Sequence, residues 1–349
     1  MRFLFPSLLA FIPITLAGWF LHAPVFLIFF ASGLAIIPLA KYIGDATEEL
    51  SIYSSPAVGG FLNATFGNAT EMIIGILGIQ AGLTEVVKAS LTGAIIGNLL
   101  LVLGAAIFCG GLKYKKQKFN ATAVLASSST LFLSIIALLI PAIFFQSFPE
   151  TGGSVIENMS ILVAIVMLIS YFSNLWFSLH THKHLYTEEV AKLESAKWSL
   201  RKSIMVLTAA TVAVSAMSEI LIKTIEPMVS SFGWSEVFIG VIFIGIIGNA
   251  AEHSSAVIMA MRNRMDLSLQ IAIGSATQIA MFVAPFLVLM SLMFTHPMNL
   301  IFTTFELITI VLSVFIANLV TQDGESNWLE GLQLLLAYAI MAVGFFFYP

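Results

Sequence analysis

Eleven long apolar runs, separated by short polar connections, leave this chain few ways to fold. Their approximate limits are 3–21, 24–41, 56–80, 84–109, 119–146, 158–180, 202–224, 235–260, 267–293, 298–320 and 327–348. A helix needs roughly 20 apolar residues to cross the hydrocarbon core of a bilayer. In that medium each backbone polar group must be satisfied internally, so helices and closed barrels are the only spanning forms. Runs this long predict helices. With 59% hydrophobic residues, 10% charged residues and a mean hydropathy of +0.99, the balance excludes a soluble globular domain. The expected fold class is all-α: a polytopic membrane protein of about 11 transmembrane helices in a lipid bilayer. The first run follows a lone Arg2 and lacks a clear small-residue cleavage site, so it reads as a retained helix. The single cysteine, Cys109, excludes an intramolecular disulfide and reads as a small packing residue.

Charge gives the orientation. With the N-terminus in the cytoplasm, the inside segments hold Arg2, Lys41, Lys113, Lys115, Lys116, Lys118, Lys183, Lys192, Lys197, Arg201, Lys202, Arg262 and Arg264. The outside segments hold only Lys88 and Lys223. Thirteen against two is a strong positive-inside bias, and one missed or extra helix would scramble it. The chain therefore reads as a multi-pass protein of the cell membrane, with a cytoplasmic N-terminus and, after eleven spans, an outside C-terminus. The Lys113–Lys118 cluster is a topology signal in a short loop, and no nucleic-acid partner is expected of it. The longest polar connection, His180 to Trp198, divides the chain, and Thr187 to Trp198 has the charge spacing of a short helix.

Two near-copies of one polar motif interrupt this apolar pattern. One is Phe66-Gly67-Asn68-Ala69-Thr70-Glu71 in the third run, and the other is Ile247-Gly248-Asn249-Ala250-Ala251-Glu252-His253 in the eighth. Their glutamates are 181 residues apart. An intramembrane carboxylate costs about 2.5–3.5 kcal/mol on insertion scales, so its presence points to function. The next run in each half carries a second match, Ile96-Gly97-Asn98 and Ile273-Gly274-Ser275-Ala276-Thr277-Gln278. The third run enters the membrane from inside and the eighth from outside. That is an inverted repeat of the kind found in secondary transporters. The expected organisation is an extra N-terminal helix (1–23), a first five-helix repeat (24–180), a cytoplasmic linker (181–201) and a second five-helix repeat (202–349). Both motif helices are Gly-rich and polar at their centres, as expected where a backbone is interrupted near a site.

Asn68 and Glu71, Asn249 and Glu252, and Ser275 and Gln278 are each three apart, so each pair shares a helix face. Two carboxylates with amide, hydroxyl and backbone oxygens make a hard site of charge −2. Calcium takes about 6–8 such oxygens in flexible geometry. No cysteine lies near the motifs, against a soft-metal preference. Left empty, the site would hold two like charges in a low dielectric, a state relieved either by calcium or by protons. Occupation by one or the other is the physical basis of antiport. His253 reads either as a proton-handling group or as a structural hydrogen-bonding one.

These residues resemble the calcium/proton antiporters (the CAX family, prokaryotic type) of the cation/calcium exchanger superfamily, and the similarity covers nearly the whole chain. Gly44-Asp45-Ala46-Thr47-Glu48-Glu49-Leu50, after the second run, also resembles that family. The resemblance implies that Glu71 and Glu252 are the principal calcium and proton carboxylates. It implies supporting roles for Asn68, Asn98, Asn249, His253, Ser275 and Gln278, and sliding of the second and seventh spans against the core. The connection between the halves has only Glu188, Glu189 and Glu194 among lysines, a poor match to the acidic helix of eukaryotic members.

The expected function is secondary antiport that exports cytosolic calcium against protons, with no cofactor and no enzymatic step; a homo-oligomer is compatible with it. The alternative is sodium-driven exchange of calcium or another divalent cation, which would need further acidic and hydroxyl residues where this chain has His253. A passive channel suits symmetric subunits better than one chain with inverted repeats. A membrane hydrolase would need a motif such as H-E-x-x-H, which is absent. Glu48 and Glu49 read as a solvated helix end, with cation recruitment as the second reading. His180, His182 and His184 sit two apart, a spacing that suits a strand better than one helix face, so a metal site there is disfavoured.

Overall fold

The computed structural model describes residues 4–150, 152–181 and 196–349. After a short turn of helix at Leu4–Leu8, the helices are α1 (Phe11–Phe20), α2 (Val25–Ile52), α3 (Pro56–Phe66), α4 (Ala69–Gln80) and α5 (Thr84–Lys113). Then follow α6 (Ala121–Ser147), α7 (Gly153–Thr181), α8 (Leu200–Phe232), α9 (Glu236–Met261), α10 (Met265–Ser291), α11 (Thr304–Thr321) and α12 (Trp328–Phe346). Among the described residues nine helices are long and apolar enough to cross a membrane, and shorter apolar helices cover Phe5–Phe20 and Ala69–Gln80. The chain is an all-α polytopic membrane protein. The described β-structure is one two-residue antiparallel ladder, β1 (Gln117–Lys118) on β2 (Glu325–Ser326), with Gln117 opposite Ser326.

Each expected run overlaps helix, but several limits differ; the run expected at 298–320 begins only at Thr304, and that expected at 158–180 already at Gly153. The run expected at 24–41 continues to Ile52. Hydropathy falls at Lys41, yet Lys41 pairs with Asp45 at 2.8 Å one turn on, and Thr47 donates to the Ile43 carbonyl, so the helix persists through the polar stretch. Gly44–Leu50 therefore lies inside α2, not after it. The run expected at 202–224 continues to Phe232, where Gly233 takes φ +67° and its N–H closes on Val229. The run expected at 56–80 is divided between α3 and α4. Other ends follow their caps: Thr303–Glu306 and Asn327–Glu330 form capping boxes on α11 and α12.

Most of the linker expected at 181–201, with His182, His184, Glu188, Glu189 and Glu194, lies outside the described residues. Of the helix expected at Thr187–Trp198, Ala196 to Trp198 are described and are irregular. His180 is described, and its ring stacks on Trp176 at 4.2 Å.

The core divides in two. A larger hydrophobic cluster joins α5, α6, α7, α9, α10, α11 and α12, and a smaller one centres on α2 and α8 with parts of α4 and α9. Contacts at the helix ends fix the sense of each helix. Gly240 at the start of α9 packs on Val86 and Ala89 at the start of α5, and Lys113 at the end of α5 donates to the Met261 carbonyl at the end of α9. These two helices run parallel. The turn at residues 81–83, with Gly82 at φ +81°, sends α4 the other way. The helices carrying Glu71 and Glu252 thus run in opposite directions. Polar connections also sort by end: Gln117 donates to Ala260 and Asn263, Asn120 to Asp266, and Lys116 pairs with Glu325. At the opposite end, Lys88 donates to Ile301 and Gln146 to Thr304.

Candidate cation site

Asn68 stands between α3 and α4 at φ −105°, ψ 18°, outside the helical region. The break places Glu71 in the first turn of α4, where the positive end of the helix dipole favours an anion. The expected interruption of both motif helices holds only here. α9 is continuous through Gly248–His253, where the Asn249 side chain donates to the Gly245 carbonyl at 3.1 Å. Its irregularity lies upstream, in a π turn at Ile239–Ile244. α5 and α10 carry π turns at Gly97–Val102 and Ile279–Val283, directly at Asn98 and after Gln278. Such turns inside α-helices are frequent at functional sites.

The polar set meets across the halves. Asn68 Nδ2 donates to Gln278 Oε1 at 2.7 Å, which links α4 to α10. Asn98 Nδ2 donates to Asn249 Oδ1 at 3.1 Å and to Ser275 Oγ at 3.0 Å, which links α5 to α9 and α10. Ser275 Oγ donates to Asn249 Oδ1 at 3.3 Å and lies within hydrogen-bonding reach of Glu252. Each motif asparagine therefore reaches the second polar helix of the opposite half. Asn68, Asn98, Asn249 and Ser275 are buried.

Glu71 and Glu252 are half-buried and close enough to interact electrostatically. Glu71 lies against Gly248: a Cβ there would sit 3.1 Å from Glu71 Oε1. Four fully covered polar atoms of this region have no hydrogen-bond partner: Glu71 Oε2, Glu252 Oε2, Asn98 Oδ1 and His253 Nε2. A covered acceptor without a donor costs about 1–3 kcal/mol, and more when charged, so the arrangement is poised for a cation or protons. Gln278 Oε1 and Asn249 Oδ1 are instead occupied by neighbouring donors. A cavity of about 10 Å³, room for about one water, has Glu71, Ser90, Gly248 and Asn249 in its walls. No group of three His, Cys, Asp or Glu side chains converges among the described residues.

One feature escaped the sequence reading. Beside the site, Gly93 of α5 packs against the Val241 backbone and Gly245 against Gly93. Ala89 and Gly93 are four apart, the small-residue spacing of close helix pairs. The partner face was hidden, because Gly240 and Gly245 are five apart and share a face only through the π turn.

The model of the sodium/calcium exchanger protein family matches residues 24–180 and 202–347. The Ca(2+)/H(+) antiporter ChaA of Bacillus subtilis is 46% identical over 350 residues, covering 99% of each chain. A Ca(2+)/H(+) antiporter of Aphanothece halophytica is 43% identical over 363 residues, covering 99% of this chain and 97% of its own. The solved structure of native YfkE superposes with a TM-score of 0.87 at 44% identity, covering 99% of this chain and all of that one.

Proposed function

The chain belongs to the sodium/calcium exchanger protein family, and we propose that within it this protein exports cytosolic calcium in exchange for protons at a two-glutamate site. The observation that carries the reading is the pair of unpartnered carboxylate oxygens, Glu71 Oε2 and Glu252 Oε2, brought together by oppositely directed helices. Relatives of 46% and 43% identity that bear the name Ca(2+)/H(+) antiporter support it.

Calcium binds as substrate. Its ligands are the carboxylates of Glu71 and Glu252 and the free Asn98 Oδ1, with water and backbone oxygens completing the roughly 6–8 positions calcium requires. Asn68, Gln278, Asn249 and Ser275 hold these ligands in place: Gln278 Oε1 accepts from Asn68, Asn249 Oδ1 from Asn98 and Ser275, and Ser275 Oγ from Asn98. Protons take the same carboxylates when calcium leaves, and His253, whose covered Nε2 has no hydrogen-bond partner, is a further proton-handling group on the same helix. Membership of the proton-coupled CAX branch belongs to this reading and rests on the His253 position and the paired motifs.

The eleven spans, the two inverted five-helix repeats at 24–180 and 202–349, and the cytoplasmic N-terminus are part of the proposal. The opposed directions of α4 and α9 support the inversion. The basic loops that meet at the Lys113 end support its assignment to the cytoplasm. Everted vesicles under an imposed proton gradient test the function. Addition of calcium should release protons, and Glu71→Gln or Glu252→Gln should abolish the release. Retained exchange in either variant overturns the shared site; uptake that requires sodium and ignores the proton gradient assigns sodium-driven exchange instead.

A further inference from the structure

Two residues near the cytoplasmic end of α2 grip the segment that leads into α8. Glu49 is 9% exposed, so it is not the solvated helix end that its position in the sequence suggests; Glu48, beside it, is exposed. Glu49 Oε2 accepts the backbone N–H groups of Lys197 at 2.8 Å and Trp198 at 3.0 Å. One turn on, the Tyr53 hydroxyl donates to the Trp198 carbonyl at 2.6 Å. Trp198 is thus held at both its N–H and its C=O by one face of α2. Ser199 then caps α8 by accepting the Lys202 N–H, and the Lys202 ammonium lies 4.5 Å over the Trp198 ring. Backbone donors at a helix entrance need partners, and a carboxylate is favoured there. Here the carboxylate comes from a different helix, 148 residues earlier.

Packing gives this contact its consequence. α2 and α8 form the most extensive helix pair in the described structure. Phe29, Ile36 and Ile43 of α2 and Val214, Leu221 and Ile225 of α8 share the smaller hydrophobic cluster, apart from the larger one. The pair meets α4 and α9, the helices that carry Glu71 and Glu252. We propose that Glu49 and Tyr53 are positioning residues that fasten the entrance of α8 to the end of α2, so that in the sliding against the core that the family resemblance implies, the two helices stay joined at this end. The inference rests on the antiport reading above. Loosening the fastening slows the cycle and leaves calcium binding intact, because neither residue touches the site.

The test uses the full-length protein in proteoliposomes, with Cys109→Ser as a thiol-free parent. Glu49→Ala with Tyr53→Cys and Trp198→Cys removes both grips and allows a short bismaleimide to replace them. Unlinked, turnover should fall at least ~10-fold with calcium KM unchanged. Linked, it should return to near the parent rate. Turnover at the parent rate without the linker, or its arrest by the linker, overturns the proposal. Should the triple variant fail to fold, the Tyr53→Cys, Trp198→Cys pair with Glu49 intact decides the matter: transport that survives linking supports the fastening, and transport that stops refutes it. A parent without proton-driven calcium movement would count against the antiport reading, a separate outcome.

Discussion

Gly248→Ala is the smallest change that reaches the two-carboxylate site without altering a polar atom. The new methyl would stand 3.1 Å from Glu71 Oε1 and 3.4 Å from its Cδ and Cγ. Comfortable contact begins near 3.5 Å, so the carboxylate must retreat by a few tenths of an ångström. A flexible side chain can do this, and the stability cost sits at about 1 kcal/mol, the low end for overpacking. The function is less tolerant. Calcium–oxygen bonds span only about 2.3–2.6 Å, and a displaced Glu71 loses one of them. A charge-assisted contact worth about 1.5–3 kcal/mol corresponds to a calcium KM raised about 10- to 100-fold. The controls are Gly97→Ala and Gly274→Ala, motif glycines at which a Cβ would meet nothing within 4 Å. These should keep the parental KM. Calcium-dependent proton release from proteoliposomes at varied calcium measures all three. A parental KM in Gly248→Ala, or an equal rise in the two controls, refutes the placement of Glu71 against α9.

The remaining predictions concern the seam, the coupling and the outer end. Gly93→Ala drives a methyl into the Val241 backbone, which no side-chain rotation relieves, so the yield of folded protein in the membrane should collapse; normal expression and thermal stability would contradict the close α5–α9 crossing. Calcium KM should rise as cytoplasmic pH falls, because protons fill the oxygens that calcium needs, by up to about 100-fold per pH unit where two protons are displaced. Transport assays across pH would expose the error if KM stayed flat. Lys88→Met keeps the stem of a side chain that is nearly buried but leaves the Ile301 carbonyl without its 2.7 Å donor. The expected loss is about 1–3 kcal/mol, read as a lower unfolding temperature in detergent with turnover per folded molecule unchanged.

Much of this architecture was legible in the sequence because a bilayer imposes two strict rules, apolar length and rarity of charge. Glu71 and Glu252 stood out by breaking the second. The three-residue spacing of Asn68 to Glu71 and of Ser275 to Gln278 gave shared faces, and these residues do converge. What spacing cannot give is the partner. That Asn68 meets Gln278, 210 residues away, depends on how α4 and α10 cross. Glu49 misled for the same reason: its neighbours in sequence are polar, and its burial comes from a segment that returns 148 residues later. The length of α2 was misjudged because hydropathy reports the bilayer, whereas the Lys41–Asp45 pair keeps a helix going beyond it.

The two motif helices reach the candidate site by different means. Two helices bring carboxylates toward each other while their neighbours pack closely, and each does so with a departure from regular helix. α4 solves this by breaking at Asn68, which turns its dipole toward Glu71 and frees Asn68 to hold Gln278. α9 solves it by a π turn, which brings Gly240 and Gly245 onto one face against α5 and leaves the Gly248–His253 stretch helical. The two devices leave different chemistry behind. Glu71 sits at the start of a helix, against a glycine of the other half. Glu252 sits in mid-helix beside His253, with Ser275 in reach. The matching motif residues therefore hold unequal positions: Glu71 opens a helix against Gly248, and Glu252 stands within a helix with Ser275 in reach.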